Sequence, residues 1–441
     1  MQYIQRDIDK ELTAWAKLPA QKPLLLRGAR QVGKTSTVRA LAGRFAHTVE
    51  IDMNEPGPAR GLFESELPVE ALWENLCALA GIPNRPRSAL LFIDEIQACP
   101  AAINRLRYFH ERLPDLHVIA AGSLLEFALE SLPSFGVGRI RSIFLYPMSF
   151  AEFLRALGKD ALLAILDRAG PEAPLPAAIH EALSGHLRAF LAMGGMPEVV
   201  SAWCGRHDYL ACQRVLDDLL LSYEDDFKKY ASRVPGERVA EVFRSVARQG
   251  EGKFVYARAG EGLKTREVKG ALRLLILAGL VRPVTHTAAN GLPLGSEANE
   301  KYSRMILMDT GFVRRLLGLP LRDFLCADGL KAVNRGAIAE IFVGMELLKA
   351  ADPYCPQSLY CWHRETKDSQ ASVDYVVQRG AGIIPIEVKS GGRGSMQSLR
   401  LFMEQKGLAL GVRTALENFS SYENIQVYPL YAIRNLLNRA A

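Results

Sequence analysis

The chain has 441 residues, which is too long for one hydrophobic core, so the sequence predicts a multidomain protein. Hydrophobic residues make up 49% and charged residues 23%, a globular composition that excludes disorder on a large scale. The net charge of +6 permits a nucleic-acid partner but does not require one. No apolar run approaches the roughly 18 residues of a membrane span. For that reason no membrane partner is expected. The seven cysteines include no CxxC pair, which favours a reducing, cytoplasmic location.

Residues 1–150 alternate between apolar strands and amphipathic helices. The strands are predicted at 23–27, 47–51, 88–93, 116–121 and 141–145, with helices between several of them, including 34–45 and 70–80. Strand–helix alternation favours a mostly parallel sheet covered by helices on both faces. The sequence therefore predicts an α/β domain at the start of the chain.

A phosphate-binding motif follows the first of these strands. The segment GARQVGKT at 28–35 matches GxxxxGK[ST] at every fixed position and opens a helix. Its glycines let backbone N–H groups face the phosphates, and the helix N-terminus adds partial positive charge. Lys34 is placed to reach the β- and γ-phosphates of ATP, and the Thr35 hydroxyl to ligate Mg²⁺. The predicted nucleotide-binding residues are Gly28, Ala29, Arg30, Gln31, Val32, Gly33, Lys34, Thr35 and Ser36.

Two further strand ends carry candidate catalytic residues. Asp94 and Glu95 close the apolar strand at 89–93, so Asp94 is expected to hold Mg²⁺ and Glu95 to activate the attacking water. Ser123, after the next strand, is either a γ-phosphate or water contact or a helix N-cap. Arg139 and Arg141 follow a glycine-rich stretch and are either solvated or supply positive charge to the transition state, in cis or from a neighbouring subunit.

The middle of the chain changes character twice. In residues 151–235, helices are predicted at 151–157, 160–168, 175–192 and 209–230. The Gly-Gly-Met-Pro sequence of 194–197 predicts a turn between the last two of them. Residues 236–325 read as helices at 239–249 and 265–278 followed by strands at 280–285 and 301–308, the layout of a winged helix. The second helix carries Lys264, Arg266, Lys269 and Arg273. It is either a DNA-reading helix or an ordinary solvated face that contacts protein.

Five segments in order resemble one known family. GARQVGKTS, FIDEIQACP, AAGSLLEF, GVGRIRSIFLYPMSFAEF and GGMPEVV together resemble the prokaryotic AAA+-type ATPases that carry an uncharacterised C-terminal domain. Met148 stands where similar members have leucine. The resemblance covers essentially the whole chain and implies a AAA+-like domain, a winged-helix middle and a restriction-endonuclease-like C-terminal α/β domain. Gly138-Arg139 matches the family's Gly-Arg element, which implies a nucleotide-sensing or finger role for Arg139.

A second candidate site lies in a predicted hairpin near the C-terminus. Strand periodicity places Glu387 and Lys389 on one face of residues 383–389, with Asp374 on the partner strand and Glu340 on the helix 337–350. Asp…Glu-x-Lys resembles the PD-(D/E)xK nucleases, in which carboxylates hold Mg²⁺ or Mn²⁺ and the lysine assists the attacking water. The alternative is a solvated sheet edge, although the apolar residues around these charges favour a central strand.

These observations predict four domains: 1–150, 151–235, 236–325 and 326–441. They predict an ATPase, with ATP and Mg²⁺ bound at the P-loop and double-stranded DNA and a second copy of the chain as candidate partners. In one hypothesis the nucleotide cycle controls DNA binding and metal-dependent DNA cleavage. In the other, a non-cleaving switch or assembly module binds DNA or protein through the winged helix and a degenerate nuclease-like domain. A small-molecule kinase is a third hypothesis, which Glu95 disfavours.

Overall fold

The computed structural model describes residues 3–131, 138–228, 234–250, 252–321, 324, 335–365, 371–389 and 396–438. It divides into two compact units. The first comprises Met1–Pro147 with Leu277–Gly279 and Asp352–Pro356, and the second comprises Met148–Ile276, Leu280–Ala351 and Gln357–Ala441. The predicted boundary at 325/326 and the predicted helix end at 230 lie outside the described residues. Within the described residues, no helix has the length and apolarity needed to cross a membrane.

The described part of the first unit contains a five-stranded sheet in the order β2-β3-β4-β1-β5. Every pairing in it is parallel. The predicted parallel sheet is confirmed, with strand ends within one or two residues of those predicted. The strands are β1 (Leu24–Arg27), β2 (His47–Asp52), β3 (Ala89–Asp94), β4 (His117–Ala121) and β5 (Arg141–Phe144).

Helices connect these strands and bury their side chains. Strands β3 and β4 are buried at every position, as expected for the centre of a parallel sheet covered on both faces. One core cluster joins strand residues such as Leu91 and Ile93 to Trp73 and Phe109 of the flanking helices. The helices are α1 (Asp9–Trp15), α2 (Lys34–Ala42), α3 (Pro58–Glu64), α4 (Val69–Ala80), α5 (Pro100–Arg112) and α6 (Leu125–Ser131).

The second unit begins with helices. Ser149 and Glu152 form a complete capping box at the start of α7, which sets where that helix begins. The Gly-Gly-Met-Pro break is present, and Pro197 after it occupies the first turn of a helix, α10, that the sequence reading did not include. The helices are α7 (Phe150–Ala156), α8 (Asp160–Arg168), α9 (Ala177–Met193), α10 (Pro197–Arg206), α11 (Tyr209–Phe227), α12 (Gly236–Arg248), α13 (Thr265–Leu277) and α14 (Thr310–Leu316).

An eight-stranded sheet runs through the described part of the second unit in the order β12-β13-β11-β10-β9-β8-β6-β7. The strands are β6 (Val281–Thr287), β7 (Ala298–Leu307), β8 (Leu359–His363), β9 (Ser372–Arg379), β10 (Gly382–Val388), β11 (Gly411–Ala415), β12 (Ser420–Tyr422) and β13 (Ile425–Pro429). Its remaining helices are α15 (Arg335–Ala350), α16 (Gln397–Lys406) and α17 (Asn435–Asn438).

The predicted hairpin after α13 is formed by β6 and β7, which pair antiparallel. Strand β6 also pairs parallel with β8, so this hairpin and the C-terminal strands share one sheet. The second predicted hairpin is formed by β9 and β10, with Gly382 opposite Arg379. Strand β10 then pairs parallel with β11. The carboxyl end of β10 therefore lies inside the sheet and not at its edge.

Candidate functional site

The P-loop connects β1 to α2 in a backbone shape that depends on glycine. Gly28 has φ +150°, and a Cβ built there would lie 2.1 Å from the carbonyl oxygen of Leu145. Gly33, at the start of α2, has φ 99°. Both values lie in the region that favours glycine, and any side chain at Gly28 would collide with backbone. The motif glycines thus fix the path of the loop.

Arg6 ties the P-loop to its surroundings, and the sequence reading did not single it out. Its Nη1 donates a 2.8 Å hydrogen bond to the carbonyl of Val32, and its Nη2 donates a 2.7 Å bond to the carbonyl of Tyr146. The Arg6 side chain is buried, so these charge-assisted bonds are shielded from water. No local pattern marks Arg6, because both of its acceptors lie far away along the chain.

Lys34 lies inside the loop it belongs to. Its Nζ donates hydrogen bonds to the carbonyl oxygens of Gly28, at 3.0 Å, and of Ala29, at 2.7 Å. Burial lowers the pKa of Lys34 to about 8, although the nearby carboxylates of Glu95 and Asp94 oppose that shift. The ammonium group is therefore held at the loop by weak neutral acceptors, and an anionic phosphate would be a stronger partner.

The residues predicted to hold Mg²⁺ are in contact. The Thr35 hydroxyl donates a 2.6 Å hydrogen bond to Oδ2 of Asp94, and the backbone N–H of Glu95 donates to Oδ1 of Asp94 at 2.9 Å. Burial raises the pKa of Asp94, which these two hydrogen bonds partly offset. A hydroxyl and a carboxylate at the end of β3 are hard oxygen ligands, so the chemistry of this pair fits Mg²⁺.

Glu95 is held by two neighbours at the same edge of the sheet. The Ser123 hydroxyl donates a 3.0 Å hydrogen bond to Oε2 of Glu95, and the Gln97 side-chain amide donates to the same oxygen. Glu95 has φ 47° and ψ 42°, a left-handed conformation that turns the chain after β3. A Cβ at Gly122 would lie 2.1 Å from Oε1 of Gln97, so this glycine makes room for the amide. Gln97, two residues after Glu95, was not among the predicted site residues.

Arg139 lies away from this edge. Strand β5 runs parallel to β1, so the residues before β5 lie at the amino-terminal edge of the sheet, opposite the P-loop. There the Arg139 guanidinium forms an ion pair with Glu111, near the end of α5. Arg141, also exposed, lies over the ring of Tyr354, with its Cζ 5.4 Å from the centroid. The structure therefore does not bring Arg139 or Arg141 to Lys34 and Glu95 within one chain.

The C-terminal trio lies at the carboxyl end of β10. Lys389 Nζ donates a 2.5 Å hydrogen bond to Oε1 of Glu387, and Oδ2 of Asp374 accepts a 2.8 Å bond from the N–H of Val388. Burial and the charge of Asp374 raise the pKa of Glu387 to about 7, against the opposing effect of Lys389. Asp374 and Lys389 therefore both lie close enough to Glu387 to affect its pKa.

Glu340 is engaged by a residue that the sequence reading did not single out. Arg304, on β7, forms a buried ion pair with Glu340 of α15. Its Nη2 also donates a 3.1 Å hydrogen bond to the backbone carbonyl of Asp374. Among the residues that the structure describes, no group of three or more His, Cys, Asp or Glu side chains is arranged to hold a metal ion. Glu340, Asp374 and Glu387 therefore do not form a three-carboxylate metal site.

The comparisons with known proteins begin with the N-terminal residues. Residues 20–154 match the family model described as an AAA domain. This chain contains an AAA-type ATPase domain. The AAA domain carries the P-loop, Asp94 and Glu95. At the level of the domain family, its function is ATP binding and hydrolysis with Mg²⁺ as the cofactor. The predicted AAA+-type ATPase domain is confirmed.

Two further segments of the chain match models without an assigned function. Residues 184–323 match a domain of unknown function, DUF8612, and residues 335–433 match another, DUF4143. No curated protein matches the chain. The winged-helix and nuclease-like descriptions of these regions are proposals.

Three solved structures show a weak likeness to this chain, each at 15% sequence identity. A Walker-type ATPase of Pyrococcus abyssi covers 71% of this chain and 96% of its own, with a TM-score of 0.46. PCH-2 of C. elegans covers 49% of this chain and 61% of its own, with a TM-score of 0.25. Unliganded Pif1 from a Bacteroides species covers 38% and 49%, with a TM-score of 0.22. Because these scores lie below 0.5, the assignment rests on the AAA domain match.

Beyond the AAA domain, α13 is amphipathic, with one buried and one exposed face. Its buried face includes Val268 and Leu272. The four basic side chains predicted for this segment are all exposed: Lys264, Arg266, Lys269 and Arg273. Lys269 Nζ lies 5.7 Å from the centroid of the Tyr256 ring. The positive charges therefore lie on the face that is open to solvent.

Proposed function

We propose that this protein hydrolyses ATP at the P-loop edge of its AAA domain. The observation that supports the proposal is the convergence of three strand ends. The loop after β1 supplies Lys34, the end of β3 supplies Asp94 and Glu95, and the end of β4 supplies Ser123. The 2.6 Å bond from Thr35 to Asp94 joins the first two of these, and these two residues would hold Mg²⁺.

Each residue in this proposal has a definite task. Residues 28–36 hold the phosphates, with Lys34 leaving its two loop carbonyls to bind the β- and γ-phosphates. Thr35 and Asp94 would hold Mg²⁺, which would neutralise charge on the phosphates. Glu95 orients the attacking water and takes its proton. Ser123 and Gln97 keep the Glu95 carboxylate in place through their bonds to Oε2.

Arg139 takes part, in this proposal, from a second copy of the chain. It is exposed and lies at the sheet edge opposite Lys34, so a role at its own P-loop would require a large rearrangement. A neighbouring subunit that presents this edge to the P-loop would bring the guanidinium to the γ-phosphate. Release from Glu111 would accompany that contact.

The experiment compares ATP binding and hydrolysis in wild type, Lys34→Ala and Glu95→Gln. Glu95→Gln keeps the shape of the side chain but cannot take a proton, so we expect normal ATP binding and hydrolysis slower by roughly 10²–10⁴-fold. Lys34→Ala should lose both. Arg39→Ala is the matched control, since Arg39 lies on the same helix but is exposed and pairs with Glu50. Wild-type turnover in Glu95→Gln would contradict the proposal.

For the second unit we propose that it binds double-stranded DNA through α13 under control of the nucleotide cycle, without cutting it. The exposed basic face of α13 supports DNA contact. The ion pair between Arg304 and Glu340 favours binding over cleavage, because it removes one of the predicted metal ligands. The hypothesis of Mg²⁺- or Mn²⁺-dependent cleavage by Asp374, Glu387 and Lys389 is the alternative.

A cleavage assay separates the two versions. Wild type, Asp374→Ala and Glu387→Gln are incubated with supercoiled and linear DNA, with Mg²⁺ or Mn²⁺, with and without ATP. We expect each protein to bind the DNA and to leave it uncut. Nicking by wild type that is lost in both Asp374→Ala and Glu387→Gln would show that the domain is a nuclease and overturn the non-cleaving version.

A further inference from the structure

The C-terminal cluster contains two cations as well as three carboxylates. The carboxylates are Glu340 on α15, Asp374 on β9 and Glu387 on β10. Lys389 follows β10 and pairs with Glu387. Arg304 comes from β7, far from β10 in the order of the sheet, and reaches the cluster with a long buried side chain. Five formal charges therefore sum to about −1 here, and not to the −3 that the acids alone would give.

The Arg304 guanidinium is fixed on several sides. Beyond its ion pair with Glu340, its Nη1 lies 3.8 Å from Oδ1 of Asp374 and its Nη2 bonds the carbonyl of the same residue. The guanidinium also lies over the ring of Tyr375, with Cζ 5.0 Å from the centroid. The Tyr375 hydroxyl in turn donates a 2.6 Å bond to the carbonyl of Glu340. A planar cation held in this way is preorganised and not a mobile surface charge.

The carboxylate oxygens of the cluster differ in their hydrogen bonds. Asp374 accepts a hydrogen bond from the N–H of Val388, and Oε1 of Glu387 accepts one from Lys389. Oε2 of Glu387 is buried and has no hydrogen-bond partner among the described residues, on a side chain that is 92% buried. A buried carboxylate oxygen of this kind is stabilised by a cation or by a hydrogen-bond donor. The cluster is thus neutralised by Arg304 at one end and incomplete at the other.

A divalent cation and Arg304 would compete for the same carboxylates. The guanidinium contacts Glu340 directly and lies near the side chain of Asp374, so it blocks one ligand and repels a second cation. Removal of Arg304 would leave Glu340 as a buried charge without that partner, a costly state that a bound cation could relieve.

We propose that Arg304 takes the place of a divalent cation in this cluster, so that the loss of its guanidinium opens a cation site formed by Glu340, Asp374 and Glu387. In the wild-type protein the guanidinium holds α15, β7 and β9 together without metal. The proposal goes beyond the proposed function, because it concerns cation binding and holds whether or not the protein binds DNA.

The test measures Mn²⁺ binding to the full chain without nucleotide, by electron paramagnetic resonance of the free ion and by thermal unfolding. The variant is Arg304→Met, which keeps an unbranched side chain but removes the charge. We expect Arg304→Met to unfold at a lower temperature than wild type in EDTA and to recover stability on addition of Mn²⁺. We expect it to bind one more Mn²⁺ than wild type, or the same ion at least tenfold more tightly. The P-loop contributes equally in both proteins.

Three controls make the result specific. Arg304→Lys keeps a positive charge and should gain little Mn²⁺ affinity. Arg304→Met with Glu340→Gln should lose the gain, and it remains informative if Arg304→Met alone fails to fold, because it removes the uncompensated charge. Arg315→Met breaks another part-buried ion pair of the same unit, with Asp217, and should lose stability without recovery by Mn²⁺. A wild-type Mn²⁺ site that Glu340→Gln weakens tenfold, or no Mn²⁺ gain in Arg304→Met, would overturn the proposal.

Discussion

At the scale of single residues, two buried cations of this protein already have partners inside the protein. Lys34 bonds two loop carbonyls, and Arg304 bonds Glu340. The two cases differ in the strength of the partner. Neutral carbonyls hold a lysine weakly, whereas a buried carboxylate holds an arginine firmly. We therefore expect ATP to displace the first arrangement readily and a metal ion not to displace the second.

Lys34 should take up a proton when ATP binds at alkaline pH. Burial lowers its pKa to about 8, so at pH 8.5 about three quarters of the side chains are neutral. The phosphates of ATP favour the charged form and raise this pKa on binding, while they are themselves fully ionised at pH 8.5. Calorimetric titration in two buffers with different ionisation enthalpies should show uptake of about 0.7 proton at pH 8.5 and little from Lys34 at pH 6.5.

ATP affinity should also weaken as the pH rises through 8, since the neutral form of Lys34 becomes dominant there. Lys34→Arg is the control, because its guanidinium stays charged and any ATP binding should occur without uptake. Equal heats for wild type in the two buffers at pH 8.5 would show that Lys34 is already charged.

The site residues divide by whether a short local motif marks them in the sequence. The P-loop and the Asp94-Glu95 pair could be predicted, because each is a short motif at the end of an apolar strand. Arg6, Gln97 and Arg304 could not. The acceptors of Arg6 and Arg304 are up to 140 residues away, and the role of Gln97 depends on the space left at Gly122.

At the scale of helices and strands, one carboxylate joins two segments of the second unit. Asp309 caps α14 by accepting from the N–H of Gly311, and it accepts a 2.6 Å bond from the N–H of Gly195. A Cβ at Gly194 would lie 1.9 Å from Oδ1 of Asp309, so that glycine allows the close approach. Burial raises the pKa of Asp309 to about 6, and the backbone donors only partly offset this. The Gly-Gly-Met-Pro turn and the start of α14 therefore depend on one side chain.

Asp309→Ala should destabilise the protein by about 2–4 kcal/mol, because it removes a helix cap and leaves the buried N–H of Gly195 without its acceptor. Asp309→Asn keeps one oxygen and should cost less. Thermal unfolding of wild type and both variants measures the difference. Asp225→Ala is the control, since Asp225 is exposed and forms an ion pair with Lys228 at the end of α11. An unchanged unfolding temperature in Asp309→Ala would show that the cap is dispensable.

Local periodicity predicted most elements but not how they pair. Strands β6, β7 and β10 lie close to the predicted runs because alternation or apolarity marks a strand locally. The parallel pairing of β6 with β8 joins positions more than 70 residues apart, so no local pattern predicts that the hairpin and the C-terminal strands share a sheet. Helix α10 was not predicted because Pro197 was interpreted as the end of a turn and not as the first residue of a helix.

At the scale of the whole molecule, the candidate nucleotide site belongs to the first unit and the candidate DNA helix to the second. A nucleotide-controlled DNA contact therefore requires a coupling free energy between two sites on different units. By linkage, ATP then changes DNA affinity by the same factor by which DNA changes ATP affinity. Glu95→Gln, which should bind ATP without hydrolysing it, allows both factors to be measured at equilibrium.

The basic face of α13 should account for a definite part of the salt dependence of DNA binding. Substitution of Lys264, Arg266, Lys269 and Arg273 by alanine removes four exposed cations and leaves the buried face intact. If each contacts a phosphate, the slope of log K against log salt should become shallower by about 3–4. Fluorescence anisotropy of labelled duplex DNA between low and physiological salt measures that slope. The matched control replaces Arg85, Arg87 and Arg112, which line a cavity of about 450 Å³ in the first unit. The compared quantity is the change in slope per cation removed. If that change were the same in the control as in the α13 variant, overall charge, and not this helix, would determine DNA affinity.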